Sequence, residues 1–325
     1  IEQPADHLLL CPECGQGGVH ASKDRYHCES CGASFEPKAG VPVFLKLQSA
    51  TFAAEFDRMD FWDKGWQKRC QDLLSLDREG ILSVRTKYLH AMQREGYPSV
   101  RDITPATARD KVLLNIGCGG GYEGLLFAGY GTRYIGVDFS HNAVRITREL
   151  TRTAGFEISV YQAEAENLPL RDASVDIVYT NGVLHHTPNT ADALREVHRV
   201  LDSNGVAYIG LYATRSVMFY WYRLHALLCG NFSRRGIQDW LNANTEGEWQ
   251  TNGRENKLTK TYTREEFKTL LHEAGFANIR IRQTPLQLRD VPIVGRVLLK
   301  LGLTLLAERR IRPFGGILMA TCKKS

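Results

Sequence analysis

Val112-Leu113-Leu114-Asn115-Ile116-Gly117-Cys118-Gly119-Gly120-Gly121-Tyr122 decides how the rest of the chain is read. An apolar run of strand length passes directly into a glycine turn that opens a helix. Glycines at 117, 119 and 121 let the backbone turn sharply and approach a ligand closely. Alone, such a turn also suits a nicotinamide dinucleotide. The next strand, Tyr134-Ile135-Gly136-Val137-Asp138, ends in an acid. It lies about 20 residues on, where it can accept the two hydroxyls of a ribose.

Outward from this stretch the chain alternates. Apolar runs at 111–116, 133–138, 157–161, 175–180 and 205–212 read as strands, and amphipathic stretches at 122–129, 141–154 and 190–201 as helices. This order predicts an α/β fold with a parallel, doubly wound sheet. Thr263 to Gly275 adds a helix with Thr263 as N-cap, Glu266 at the capping-box position and Gly275 at its end. Strands at 277–283 and 316–322 would complete the sheet. Two segments break the pattern: 214–261, with an aromatic stripe (Met218, Phe219, Trp221, Tyr222, Leu224), and 286–313, apolar and studded with cations. Both follow late strands, so they either cap the ligand end of the sheet or pack on its core. Upstream, residues 51–100 place Phe52, Phe56, Met59, Phe61, Trp62 and Trp66 at helical spacing and read as helices that join or cover domains. The division is 1–47, a small Cys-rich unit; 48–110, a helical linker or cover; and 111–325, the α/β domain with its two insertions.

Composition sets limits. Of 325 residues, 43% are hydrophobic and 24% charged, which excludes a disordered or collagen-like chain. No uncharged apolar stretch is long enough to span a bilayer, and no basic n-region precedes an apolar h-region, so neither a spanning helix nor an export signal is expected. Charge is uneven: residues 214–325 hold 19 Lys/Arg against 9 Asp/Glu. That third either attracts an anionic partner or presents a solvated basic face.

Four of the eight cysteines fall in the first 31 residues as Cys11-Pro12-Glu13-Cys14 and Cys28-Glu29-Ser30-Cys31, thirteen residues apart. Two tight Cys-x-x-Cys turns at this spacing supply four thiolates, a tetrahedral set that suits a structural Zn²⁺ and leaves no open coordination position. His20 and His27 are surplus to it. The remaining cysteines suggest no disulfide framework, which points to a cytoplasmic protein with reduced thiols.

Beyond Asp138 come an acidic turn, Ala163-Glu164-Ala165-Glu166-Asn167-Leu168-Pro169-Leu170, a fourth strand, Ser174 to Tyr179, and then Asn181-Gly182-Val183-Leu184-His185-His186. In this order the motifs resemble the class I S-adenosylmethionine-dependent methyltransferases, and most closely the small-molecule subgroup typified by the ubiquinone and menaquinone biosynthesis enzymes. The resemblance covers about 111–213 and 262–284. It implies a Rossmann-like sheet of seven strands, the last antiparallel. It also implies that Gly117, Cys118, Gly119 and Gly121 wrap the methionine part of the cofactor, that Asp138 holds the ribose with Phe139 beside the adenine, that Glu164 and Ala165 meet the adenine edge, and that Asn181 faces the reaction centre. At Asn115 the family usually carries an acid; an amide can accept a hydrogen bond there without charge. The first 47 residues are similar to short zinc-ribbon proteins that partner certain tRNA and protein methyltransferases.

His185 and His186, just past the fourth strand, are the candidate bases for deprotonating an acceptor, with Tyr222 and His225 further candidates under the 214–261 cap. The reading is methyl transfer to a small-molecule acceptor, apolar or anionic. Three other readings stand beside it: an RNA methyltransferase using the ribbon and the basic last third, although the fourth strand lacks the Pro-Pro-aromatic run that stacks a flipped adenine; a partner-docking module; and peripheral membrane contact through 293–312, where Leu/Val and Arg/Lys mix.

Overall fold

The computed structural model describes residues 2–45, 52–228, 258–285 and 314–324. The 286–313 segment, including the stretch considered for membrane contact, and most of the 214–261 insertion lie outside the described residues.

Three short strands, β1 (Val19–Ala21), β2 (Tyr26–Cys28) and β3 (Ser34–Phe35), form a small antiparallel sheet near the N-terminus. Helices α1 (Phe52–Cys70) and α2 (Arg78–Glu95) and the single turns α3 (Pro98–Asp102) and α4 (Pro105–Ala108) lead into the main sheet. There β4 (Val112–Ile116), α5 (Tyr122–Ala128), β5 (Arg133–Asp138), α6 (His141–Ala154), β6 (Ser159–Gln162), β7 (Val175–Asn181), α7 (Thr190–Val200) and β8 (Leu201–Tyr212) alternate as expected. After α8 (Val217–Leu228) come α9 (Arg264–Glu273), β9 (Phe276–Gln283) and β10 (Ile317–Lys324). The strand order is β6-β5-β4-β7-β8-β10-β9, and β10 pairs antiparallel with both neighbours. This is the Rossmann-like, seven-stranded sheet with an antiparallel last strand.

Local signals account for the elements. All five residues of β4 are buried, as a central parallel strand covered on both faces requires. The Ser140 hydroxyl caps α6 by accepting from Ala143 N, and Gly155, at φ +85°, ends that helix in the left-handed conformation. Thr263 and Glu266 close a reciprocal capping box on α9. No helix among the described residues is long and apolar enough to cross a membrane.

The N-terminal unit packs against the edge strand β6. Phe44 N donates to Gln162 O (2.8 Å), and Gln162 N donates to Pro42 O (2.9 Å). Phe44 meets Tyr26, Phe35 and Tyr161 at centroid distances of 5.7, 5.1 and 5.8 Å. Asp6 accepts from the hydroxyls of Tyr26 (3.0 Å) and Tyr161 (2.8 Å). Leu9, Tyr26 and Phe44 thus belong to the same apolar cluster as Ile135, Val137 and Tyr161 of the sheet. A shared core predicts shared unfolding. Phe44→Ala removes a fully buried ring and should cost about 3–5 kcal/mol. Urea unfolding followed by far-UV circular dichroism and by Cys28 thiol labelling should show both transitions moving together; a shift in the thiol transition alone would mean that the two cores are independent.

Candidate active site

The crevice lies where the strand order reverses about β4, at the carboxyl ends of the parallel strands. Ile116 and Gly117 come from the end of β4, Val137, Asp138 and Phe139 from β5, Ala163 to Glu166 from the turn after β6, and Gly182, Val183, His186 and Thr187 from the segment after β7. Helix α1 closes it from above with Arg58, Trp62 and Trp66.

The glycine turn is shaped by the backbone of β5. Val137 O accepts from Gly117 N (2.7 Å) and Cys118 N (3.1 Å), and the Asp138 carboxylate accepts from Gly119 N (2.9 Å) and Ser140 N (2.8 Å). Gly117 has φ +75°, and a Cβ there would stand 2.2 Å from Val183; Gly119 has φ +51°, and a Cβ would strike the Trp66 ring at 2.5 Å. Both positions therefore require glycine for conformation and for space. Burial pushes the Asp138 carboxyl up to about 6, and its backbone hydrogen bonds oppose the shift.

The other expected residues divide. Gly117, Asp138, Phe139, Glu164, Ala165 and His186 line the crevice. Asn115 does not: it is buried, and its amide donates to the Tyr134 hydroxyl (3.0 Å) on one face of the sheet. Cys118 is buried with Val41, Val144 and Val160 beneath the turn. Asn181 lies outside the crevice lining, its carboxamide oxygen buried beside Gly210 and without a hydrogen-bond partner among the described residues.

The two histidines have different surroundings. His185 is fully buried, stacks on Tyr212 at 3.8 Å and is held well below the usual imidazole range, first by burial and then by neighbouring His186 and Lys260. His186 lines the crevice below Trp62, with ring centroids 5.1 Å apart. Its Nδ1 lies 2.9 Å from the carbonyl of Leu258, which can only accept, so the proton sits on Nδ1 and Nε2 carries the lone pair. Lys260 fixes this turn: its backbone N donates to His185 O, and its ammonium donates to the carbonyls of Thr187 and Pro188.

Arg58, Trp62 and Trp66 were not among the site residues expected from sequence. Their spacing of four places them on one helix face, a signal present in the sequence that does not by itself say what the face covers. Arg58 lies 4.4 Å over the Phe139 ring, and its guanidinium is 3.6 Å from the Glu164 carboxylate. Asp63 docks the helix by accepting from Asn142 N and from the Ser140 hydroxyl at the start of α6. Tyr222 and His225 lie on α8, outside the crevice lining.

A second cluster lies in the N-terminal unit. The Sγ atoms of Cys11, Cys14, Cys28 and Cys31 all fall within 4.8 Å of one another, with Cys11–Cys31 at 3.8 Å and Cys14–Cys28 at 3.7 Å. A tetrahedron with metal–sulfur bonds of about 2.3 Å has edges of about 3.8 Å, so the donor set has the dimensions of a closed four-thiolate site. His20 instead pairs with Glu29 at 3.0 Å.

Residues 114–209 match the family model described as a methyltransferase domain. The uncharacterised methyltransferase YcgJ of Bacillus subtilis is 36% identical over 94 residues, 29% of this chain and 37% of that protein. Its crystal structure covers 72% of this chain and 99% of its own at 19% identity, with a TM-score of 0.46. An uncharacterised chloroplastic methyltransferase of Arabidopsis thaliana is 34% identical over 236 residues, 63% of this chain and 62% of its own. A demethylmenaquinone methyltransferase of Staphylococcus aureus is 29% identical over 148 residues, 45% and 58% of the two chains. The chain thus spans less than two thirds of the length of each of these relatives. Residues 114–209, which supply most of the crevice, thus match a methyltransferase domain and lie on a Rossmann-like seven-stranded sheet.

Proposed function

We propose that the protein transfers a methyl group from S-adenosylmethionine to a small-molecule acceptor and carries a structural Zn²⁺ on Cys11, Cys14, Cys28 and Cys31. The observation that carries the first part is the crevice itself, where a glycine turn and a half-buried carboxylate meet at the strand ends. The residues present fit the cofactor. Gly117 lines the crevice with backbone where a side chain would fill space, Asp138 offers carboxylate oxygens to a ribose, and Phe139 and Ala165 give an apolar slot for a flat ring, with Glu164 at its edge. S-adenosylmethionine supplies a methyl group already activated by its sulfonium. The protein's work is therefore to orient the acceptor, exclude water and take up a proton where the acceptor carries one. Trp62 and Trp66 cover the crevice against water. His186, with Nδ1–H committed to Leu258 O, has Nε2 as its proton-accepting nitrogen, whereas His185 lies behind the wall as packing.

A small acceptor of apolar or anionic character is supported by the aromatic roof and by the relative named a demethylmenaquinone methyltransferase. The four thiolates support zinc through their dimensions, and a metal would stabilise a unit whose own sheet has only three short strands.

Titration calorimetry with S-adenosylhomocysteine tests the site. Wild type should bind, and Asp138→Ala should weaken binding roughly 100-fold through loss of charged hydrogen bonds. Because only the ionised carboxyl accepts both ribose hydroxyls, affinity should fall as pH drops below about 6, by about tenfold per unit. An affinity flat from pH 7 to pH 5 would exclude Asp138 as the ribose ligand. With an acceptor in hand, His186→Ala should lower kcat by about 10²–10⁴-fold and leave S-adenosylhomocysteine affinity unchanged; a loss confined to KM would make His186 a binding residue. Metal analysis should find one zinc per chain, and its removal by chelation should lower the unfolding temperature. An unchanged melting curve after complete removal would end the structural role.

A further inference from the structure

The turn after β6 has two sides. One supplies Ala163, Glu164, Ala165 and Glu166 to the crevice wall. The other rests on the first cysteine knuckle: Asn167 Nδ2 donates to the carbonyl of Pro12 (3.3 Å), the residue directly after Cys11. Backbone bonds flank this contact, Leu10 N to Pro169 O (3.2 Å) and Arg171 N to Leu8 O (2.9 Å). Elsewhere the turn is held by ordinary protein groups. Glu196 accepts from Leu168 N (2.8 Å), Arg199 donates to Leu168 O (2.9 Å), and Ala163 N donates to Asp138 O (3.1 Å). Among the described residues, the Pro12 contact and the Leu10 bond beside it lead into the loop that carries Cys11 and Cys14.

A second path runs the same way. The strand segment that leaves the ribbon pairs with Gln162 on both sides, at Pro42 O and Phe44 N. The side chain of Gln162 donates to the carbonyl of Phe139 (3.0 Å), a crevice-lining residue. The N-terminal unit thus contacts Gln162 and Asn167, residues that adjoin or bond to the lining residues Phe139 and Ala163 to Glu166.

We propose that Asn167 is a positioning residue through which the Cys11–Cys14 knuckle fixes the adenine-side wall of the cofactor crevice, so that metal binding and cofactor binding strengthen each other. The inference rests on the functional reading above. Coupling of this kind is reciprocal: whatever factor the metal adds to cofactor affinity, the cofactor adds to metal affinity. A ribbon that served only to complete the fold would exchange stability with the cofactor through folding alone, and Asn167→Asp would leave that exchange intact.

The test uses the full, zinc-loaded chain. Zinc affinity is measured by competition with a chelator of known affinity, with and without saturating S-adenosylhomocysteine, and S-adenosylhomocysteine affinity is measured by calorimetry. In wild type, S-adenosylhomocysteine should tighten zinc by roughly 2- to 10-fold, the scale of a single hydrogen-bonded coupling. Asn167→Asp keeps the side chain's size but removes the donor. It should retain one zinc per chain, bind S-adenosylhomocysteine roughly 2- to 10-fold more weakly, and lose most of the dependence of zinc affinity on S-adenosylhomocysteine. The wild-type competition needs no variant, so a poorly folded Asn167→Asp leaves a decisive measurement in place. Zinc affinity indifferent to S-adenosylhomocysteine in wild type, or an Asn167→Asp protein with wild-type affinity and coupling, would overturn the proposal. If wild type does not bind S-adenosylhomocysteine at all, the functional reading falls and this inference with it; binding without coupling removes this inference alone.

Discussion

The half-buried carboxylate of Asp138 is the constraint around which the rest is arranged. A carboxylate withdrawn from water needs hydrogen-bond donors or must hold a proton. Here one oxygen takes Gly119 N and the other Ser140 N, so the group ties the glycine turn to the entry of α6. Neither amide belongs to regular structure, so the carboxylate satisfies groups that would otherwise need water. The cradle is therefore formed before a ligand arrives, and the burial that raises the pKa toward 6 is the same burial that shields the site.

From Ser140 the arrangement reaches the roof. Its backbone N serves Asp138, its hydroxyl caps α6, and the same hydroxyl donates to Asp63 of α1. Asp63 also accepts from Asn142 N, placing negative charge at the N-terminus of α6, where the helix dipole favours it. One short network thus sets the height of α1 above the strand ends and carries Arg58, Trp62 and Trp66 over the crevice. Arg58 then compensates Glu164 inside a largely apolar wall, and a charge pair shielded from water is felt more strongly than one on the surface.

Elements governed by local rules were legible in the sequence. The capping box at Thr263 and Glu266, the apolar run of β4 and the glycine turn each depend on residues close in the chain, and each forms where expected. The start of β8 was less legible. Asp202-Ser203-Asn204-Gly205 reads as a turn, yet the strand begins at Leu201, because Val175 pairs with Leu201 and the register then shifts so that Ile177 meets Val206. The irregular ladder absorbs the polar residues. Features set by distant contacts were not legible. Asn115 pairs with Tyr134 of the neighbouring strand, and the face of α1 covers a crevice built from residues far along the chain. The adjacent histidines could not be separated by sequence, because the packing of His185 on Tyr212 and the place of His186 in the crevice wall beneath Trp62 are tertiary facts.

The two ends of the sheet meet the same difficulty by different means. An open edge presents unpaired backbone groups and invites association with other strands. At the far edge, β9 exposes Arg280 and Arg282 on either side of buried Ile281, and charged side chains discourage a further strand. At the near edge, β6 has only four residues, all buried, and cannot carry outward charges without losing its core. That edge must be covered, and the cysteine unit covers it with Leu9, Tyr26 and Phe44 while pairing Pro42 and Phe44 to Gln162. A cover this small has little apolar core of its own. Four thiolates closed on a metal would give it rigidity that its size cannot, and the edge it covers is the one from which the Ala163–Glu166 wall of the crevice descends.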